Sequence, residues 1–185
     1  SEGCEEHGVR PIFGAELTLA TGGTIVLLCE DAHGWRNLST LVTRARMNRP
    51  RGEPSIELEL LDRHSRGLVC LSGGHEGALQ SAMDRTGLAD AERLAGRLAE
   101  IFRRRFYVEV NDHSLVEDVE RTRDRLLIAR RLGVPWVACG DVRHATSSDK
   151  LVHDAMRCLS RRITIAEAGD TLFPNDARRL RSSAE

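Results

Sequence analysis

Residues 134–158 constrain the chain more than any other stretch. The apolar run Trp136 to Cys139 is entered from Pro135 and stopped by Gly140, with the length and β-rich content of a buried strand. Polar residues take over at once. A helix is predicted to begin at Ser147 or Ser148, either of which can cap it, with an apolar stripe of Leu151, Val152, Ala155, Cys158 and Leu159. Strand, loop and helix make one β/α unit, and ligands gather beyond the carboxyl ends of strands in such units. Asp141, Arg143 and His144 lie there. Spacing alone leaves a second reading open, in which Asp141 only bonds a backbone N–H of its own turn.

The rest of the chain repeats the pattern. From Leu68 onward the order is strand (Leu68 to Ser72), helix (Asp90 to Arg104), strand (Phe106 to Val110), helix (Leu115 to Leu132, closed by Gly133), then the unit above. Such alternation argues for an α/β fold of mostly parallel strands joined by helical crossovers. Upstream, residues 1–10 read as the end of a helix. Ile12 to Leu19 reads as a strand with Glu16 as its one charge, harmless if it faces water or a polar cleft and costly in a core. Gly22-Gly23 suits a hairpin into a second strand, Thr24 to Cys29. A helix from Ala32 to Met47, ended by Pro50, places Trp35, Leu38, Leu41, Val42 and Ala45 on one face. A short helix begins at Ser55 and ends by Gly67.

Three further features carry candidate chemistry. Arg44, Arg46, Arg49 and Arg51 crowd the end of the Ala32 helix and would suit phosphates or a partner, or form a solvated face. Gly73-Gly74-His75-Glu76-Gly77 follows a strand, and its glycines would let the backbone approach a ligand closely. No Lys-Ser/Thr pair follows it, so it is no P-loop. His75, His113 and His144 are metal-capable, although a lone loop histidine is ordinarily just solvated.

Composition excludes several classes. The 185 residues suffice for one domain. A formal net charge of −1 supplies no overall field for nucleic acid, so any DNA contact must come from a local patch. Five cysteines without a Cys-x-x-Cys pair fit a reducing cytosol, and Cys29, Cys70 and Cys139 sit in strand-like runs as small hydrophobes. No apolar stretch approaches the ~20 residues of a membrane span, and no signal-peptide pattern opens the chain. Thr164 and Glu167 form a capping box for a short helix closed by Gly169. Ser182 to Glu185 repeats the pattern with no helix after it, so both ends are expected to be cut.

Five stretches resemble one family. They are Gly8-Val-Arg-Pro-Ile-Phe-Gly-Ala-Glu-Leu17, Leu27-Leu-Cys-Glu-Asp-Ala-His-Gly-Trp-Arg-Asn-Leu38, Gly67-Leu-Val-Cys-Leu-Ser-Gly-Gly-His-Glu-Gly77, Phe106-Tyr-Val-Glu-Val-Asn-Asp-His113 and Val134 to Cys158. They are similar, in family order, to the PHP (polymerase and histidinol phosphatase) domain of bacterial C-family DNA polymerases, the polymerase III alpha subunit and its error-prone relative. The forms Leu-Ser-Gly-Gly-His-Glu-Gly and Asp-Val-Arg-His resemble the error-prone branch more closely. The resemblance implies a partial, distorted β/α barrel lacking its N-terminal strands, stopping near the next polymerase region. It also implies zinc or manganese at the carboxyl ends of the strands in active relatives, activating water for phosphoester hydrolysis.

The ligand set implied by the resemblance is broken here. The family's opening His-x-His and Asp-His motifs would lie upstream. Glu16 matches its strand glutamate and Asp141 the aspartate of its Asp-x-His, but Arg143, a permanent cation, replaces that histidine, and His144 is displaced by one. Thr24 stands at another family histidine and Gly74 at a replicative cysteine, with His75 beside it. Two carboxylates are too few for a zinc site. The leading expectation is therefore an inactive PHP scaffold of a damage-tolerant polymerase, with no cofactor in this chain. Its partners would be the remainder of the polymerase, DNA through the full protein, and other replication or mutagenesis subunits. One alternative is a metal-dependent phosphoesterase or proofreading 3′–5′ exonuclease using Glu16, His75, Asp141 and His113 or His144. Another is a docking module using the arginine patch. Two further expectations follow: the chain alone is poorly stable, with an unpaired sheet edge, and Arg143 fills the site between Glu16 and Asp141.

Overall fold

The computed structural model describes residues 2–47, 49, 50 and 52–182. The chain forms two compact units, residues 1–110 with 123–137, and residues 111–122 with 138–185. Both the Ser182–Glu185 capping box and Arg51 rest on positions outside the described residues.

The first unit is built on a sheet with strand order β1 to β5. After the short helix α1 (Glu2–Glu6), β1 (Gly14–Thr18) and β2 (Thr24–Cys29) form the expected antiparallel hairpin, with Glu16 opposite Val26. Its turn needs glycine: Gly23 has φ +75°, and a Cβ there would meet Ala78 Cα at 2.6 Å. Helix α2 (Ala32–Arg46) starts where the Asp31 carboxylate accepts the Gly34 amide at 2.8 Å, a bond that holds its carboxyl below the usual range. Helix α3 (Leu58–Arg63) precedes β3 (Leu68–Leu71), which pairs antiparallel with β2. Thereafter strands and helices alternate: α4 (Ala78–Thr86) and α5 (Leu88–Phe102), β4 (Phe106–Val110) parallel to β3, α6 (Val116–Leu132), and β5 (Trp136–Ala138). The alternation expected from Leu68 onward is present.

Period-two burial explains the core. Ile25, Leu27, Leu68, Cys70, Phe106 and Val108 point to one side of the sheet and pack with Leu41 of α2, Leu79 of α4, Leu98 and Phe102 of α5 and Ile128 of α6. Burial pushes the Cys70 thiol well above its ordinary value, so it behaves as the small hydrophobe expected. The opposite face carries a row in register, Glu16, Val26, Leu71 and Tyr107, of which Glu16 is exposed. That answers the question its strand posed, because a carboxylate in water carries no burial cost.

Several expectations are corrected. The run Trp136 to Cys139 is not a buried strand: β5 ends at Ala138 and Trp136 is 56% exposed. Apolar content marks a strand but not how many layers cover it. Helix α4, bracketed by Gly77 and Gly87, leaves little mark in the sequence, because a nine-residue segment shows too few turns to display a period.

The second unit holds the start of α6 and everything after β5. Thr146, rather than Ser147 or Ser148, forms the capping box with Asp149 around a 3₁₀ turn, and helix α7 (Lys150–Arg161) follows. The Thr164–Glu167 box forms its hydrogen bonds, but a turn follows instead of a helix, and a 3₁₀ turn begins at Gly169. Residues 143–144 run parallel to 178–180, with Arg143 N–H donating to Arg178 O at 2.8 Å and Leu180 N–H to His144 O at 3.0 Å. Among the described residues no helix is long and apolar enough to cross a membrane.

Candidate functional site

The short ladder between residues 143–144 and 178–180 organises the candidate site. It sets two arginines on either side of Asp141, which itself holds a left-handed backbone (φ +44°). Asp141 Oδ1 pairs with Arg143 Nη2 at 2.7 Å, and Asp141 Oδ2 pairs with Arg178 Nη1. The two cations differ in setting. The side chain of Arg143 is 41% exposed and that of Arg178 only 6%, against 18% for Asp141.

An aromatic bracket fixes Arg178. Its guanidinium lies 3.9 Å from the centroid of Phe173, which Arg157 also approaches at 4.6 Å and on which His153 stacks at 5.3 Å and 13°. Glu16, expected around the Arg143 guanidinium, is an exposed residue of the first unit that lines a cavity with Arg46; the pairing of Asp141 with Arg143 was legible, since they stand two residues apart. Arg178 was not. Only the general rule that a half-buried carboxylate needs a counter-charge hinted at it, and three arginines at 178, 179 and 181 offered no way to choose.

His113 is buried in the second unit, where its amide donates to Asp118 Oδ2 at 2.7 Å and its Nε2 lies 3.2 Å from Gly140 O. A carbonyl only accepts, so Nε2 carries the proton and Nδ1 keeps a bare lone pair with no hydrogen-bond partner among the described residues. Burial first, and the charge of Arg178 second, hold its pKa below the ordinary histidine value. His144 is buried with Nδ1 donating to Thr146 O at 2.8 Å, and its ring stands 6.1 Å from that of His153. His75 sits half-buried in the loop before α4 of the first unit.

The glycines of that loop let backbone pack closely on backbone. Gly73 (φ +77°) presses on the Thr24 backbone and on Gly77, the Thr24 amide donates to Glu76 O at 3.1 Å, and the buried Arg125 donates to Gly74 O at 2.9 Å. Close approach of backbone to backbone is what the missing Cβ permits. Glu16 lines a shallow cavity of about 130 Å³ in the first unit with Leu17, Val42, Arg46 and Pro54. Of the basic patch, Arg44 and Arg46 are exposed, Arg49 pairs with Glu57 at 2.9 Å, and Arg46, Arg49, Pro50, Gly52 and Pro54 line a cavity of about 540 Å³. Among the described residues, no group of three or more His, Cys, Asp or Glu is placed to hold a metal ion.

The family model for the PHP domain matches residues 1–113, more than half of the chain. The chain belongs to the PHP domain family. This PHP domain is 33% identical to an error-prone DNA polymerase of Symbiobacterium thermophilum over 193 residues, covering 96% of the chain and 18% of that protein. It is 35% identical to an error-prone DNA polymerase of Pseudomonas syringae pv. tomato and 33% identical to the DNA polymerase III subunit alpha of Pseudomonas aeruginosa, in each case over 96% of the chain and 16% of the relative. The chain thus spans about one sixth of the length of the curated relatives it matches.

Proposed function

We propose that this PHP domain is the scaffold module of an error-prone DNA polymerase and does not itself hydrolyse phosphoesters. The observation that carries the reading is the double ion pair of Asp141 with Arg143 and Arg178. A metal ion bound at Asp141 would have to displace two guanidinium groups, one buried and held against Phe173, and would gain few ligands in return. Among the described residues the donors do not fit the metal implied by the family. In this reading the cations do structurally what a metal would do, neutralising a carboxylate at the end of a strand. The polymerase chemistry belongs to the rest of the relatives' length.

Metal analysis and activity of the polymerase carrying this domain test the proposal. Dialysed protein is expected to extend a primed template while retaining no stoichiometric zinc or manganese attributable to the PHP domain. Asp141→Asn should leave bis(p-nitrophenyl) phosphate hydrolysis at background. Metal retention and phosphodiester cleavage that both disappear in Asp141→Asn would overturn it in favour of the phosphoesterase or exonuclease reading. The open cavity beside Arg46 and Arg49 supports a second reading, a DNA-docking patch. Binding that weakens steeply with salt and is lost in Arg44→Ala/Arg46→Ala would establish it.

A further inference from the structure

Helix α7 is mounted with its amphipathic pattern reversed. Leu151, Val152, Met156 and Leu159 are between 63% and 72% exposed, whereas Asp154 and Cys158 are buried. At 100° per residue these four and Ala155 share one stripe, and the polar residues lie on the other side. The orientation is locked. His153 stacks on Phe173 and Arg157 caps the same ring, so turning the stripe inward would break both contacts.

We infer that this stripe is the docking surface for an apolar, amphipathic helix from the remainder of the polymerase chain. The inference rests on the polymerase reading above. Leu151, Ala155 and Leu159 form one i, i+4, i+8 ridge and Val152 and Met156 a second, and the small Ala155 leaves a notch in which a partner ridge can sit. Two parallel ridges fit a helix, whose side chains run in the same rows, better than a strand or a loop. More than four fifths of the relatives' length lies beyond the region this chain matches, which supplies the occupant within the same polypeptide.

Hydroxyl-radical footprinting of the full polymerase tests this with an internal reference. Met156 and Met47 are both well exposed here and should be modified at similar rates if nothing covers α7. In the full protein Met156 and Leu159 are expected to be modified severalfold more slowly than Met47, and Leu151→Glu/Leu159→Glu should abolish that protection and lower the melting temperature. Both substitutions point outward, so the domain itself should fold. Equal rates at Met156 and Met47 would overturn the inference. So would protection found only in a dimer by light scattering and lost on dilution, which would assign the stripe to a second copy. Primer extension by the unmodified protein is read separately, and its absence would refute the polymerase reading whatever the footprint shows.

Discussion

Arg143 and Arg178 both reach Asp141, and burial decides which of them matters. An exposed pair is screened and contributes little, whereas removing a buried partner strands a charge. Arg143→Met is therefore expected to cost under about 1 kcal/mol. Arg178→Met should cost about 2 to 3 kcal/mol, discounted from the fully buried case because Asp141 keeps some water contact. Hydrogen exchange of second-unit amides in the two variants measures the difference. His113 sets a pH dependence. In the unfolded chain its imidazole takes up a proton near pH 6.5, but the folded site resists protonation until a lower pH. The unfolded state thus binds more protons, and stability is expected to fall as pH drops from about 6.5 toward 5, above the range in which carboxylates titrate. His113→Gln should flatten that slope in urea unfolding at pH 7 and pH 5.5.

Two helices of similar apolar content play opposite roles. Leu98 of α5 has no exposed surface and packs in the core, so Leu98→Ala is expected to cost about 3 kcal/mol, transfer plus cavity. Leu151 of α7 faces outward, and Leu151→Ala should change the stability of the domain itself by less than about 0.5 kcal/mol. Chemical denaturation of the two variants side by side makes the comparison. A periodic stripe reports that a helix will be buried on one side, but it does not say by which part of a longer protein.

The apolar core identified among the described residues lies wholly in the first unit. Buried positions of the second unit include Asn111, His113, Asp118, His144, Asp154 and Arg178, held by hydrogen bonds and ion pairs. Such contacts contribute little net stability against the entropy of ordering the chain. The second unit should therefore open first. Native-state exchange is expected to give α7 amides opening free energies roughly a few kcal/mol below those of β2, β3 and α5. Equal values across both units would show a single cooperative structure instead.

Local chemistry was legible in the sequence wherever it acts within a few residues. The β1–β2 hairpin at Gly22-Gly23, the ends of α2 and α6, the strand–helix alternation after Leu68 and the closeness of Arg143 to Asp141 all follow from periodicity, turn residues and chain neighbours. The tertiary structure alone decided what depends on distant partners. Arg178 reaches Asp141 only because residues 143–144 align with 178–180, and the Gly73–Gly77 loop closes on Thr24 and Arg125. The stripe of α7 turns outward because its polar side finds Phe173. Hydrogen-bond periods and caps are short-range and leave their mark in every few residues, whereas counter-charges and the cover over an apolar face are supplied by whatever the fold brings near.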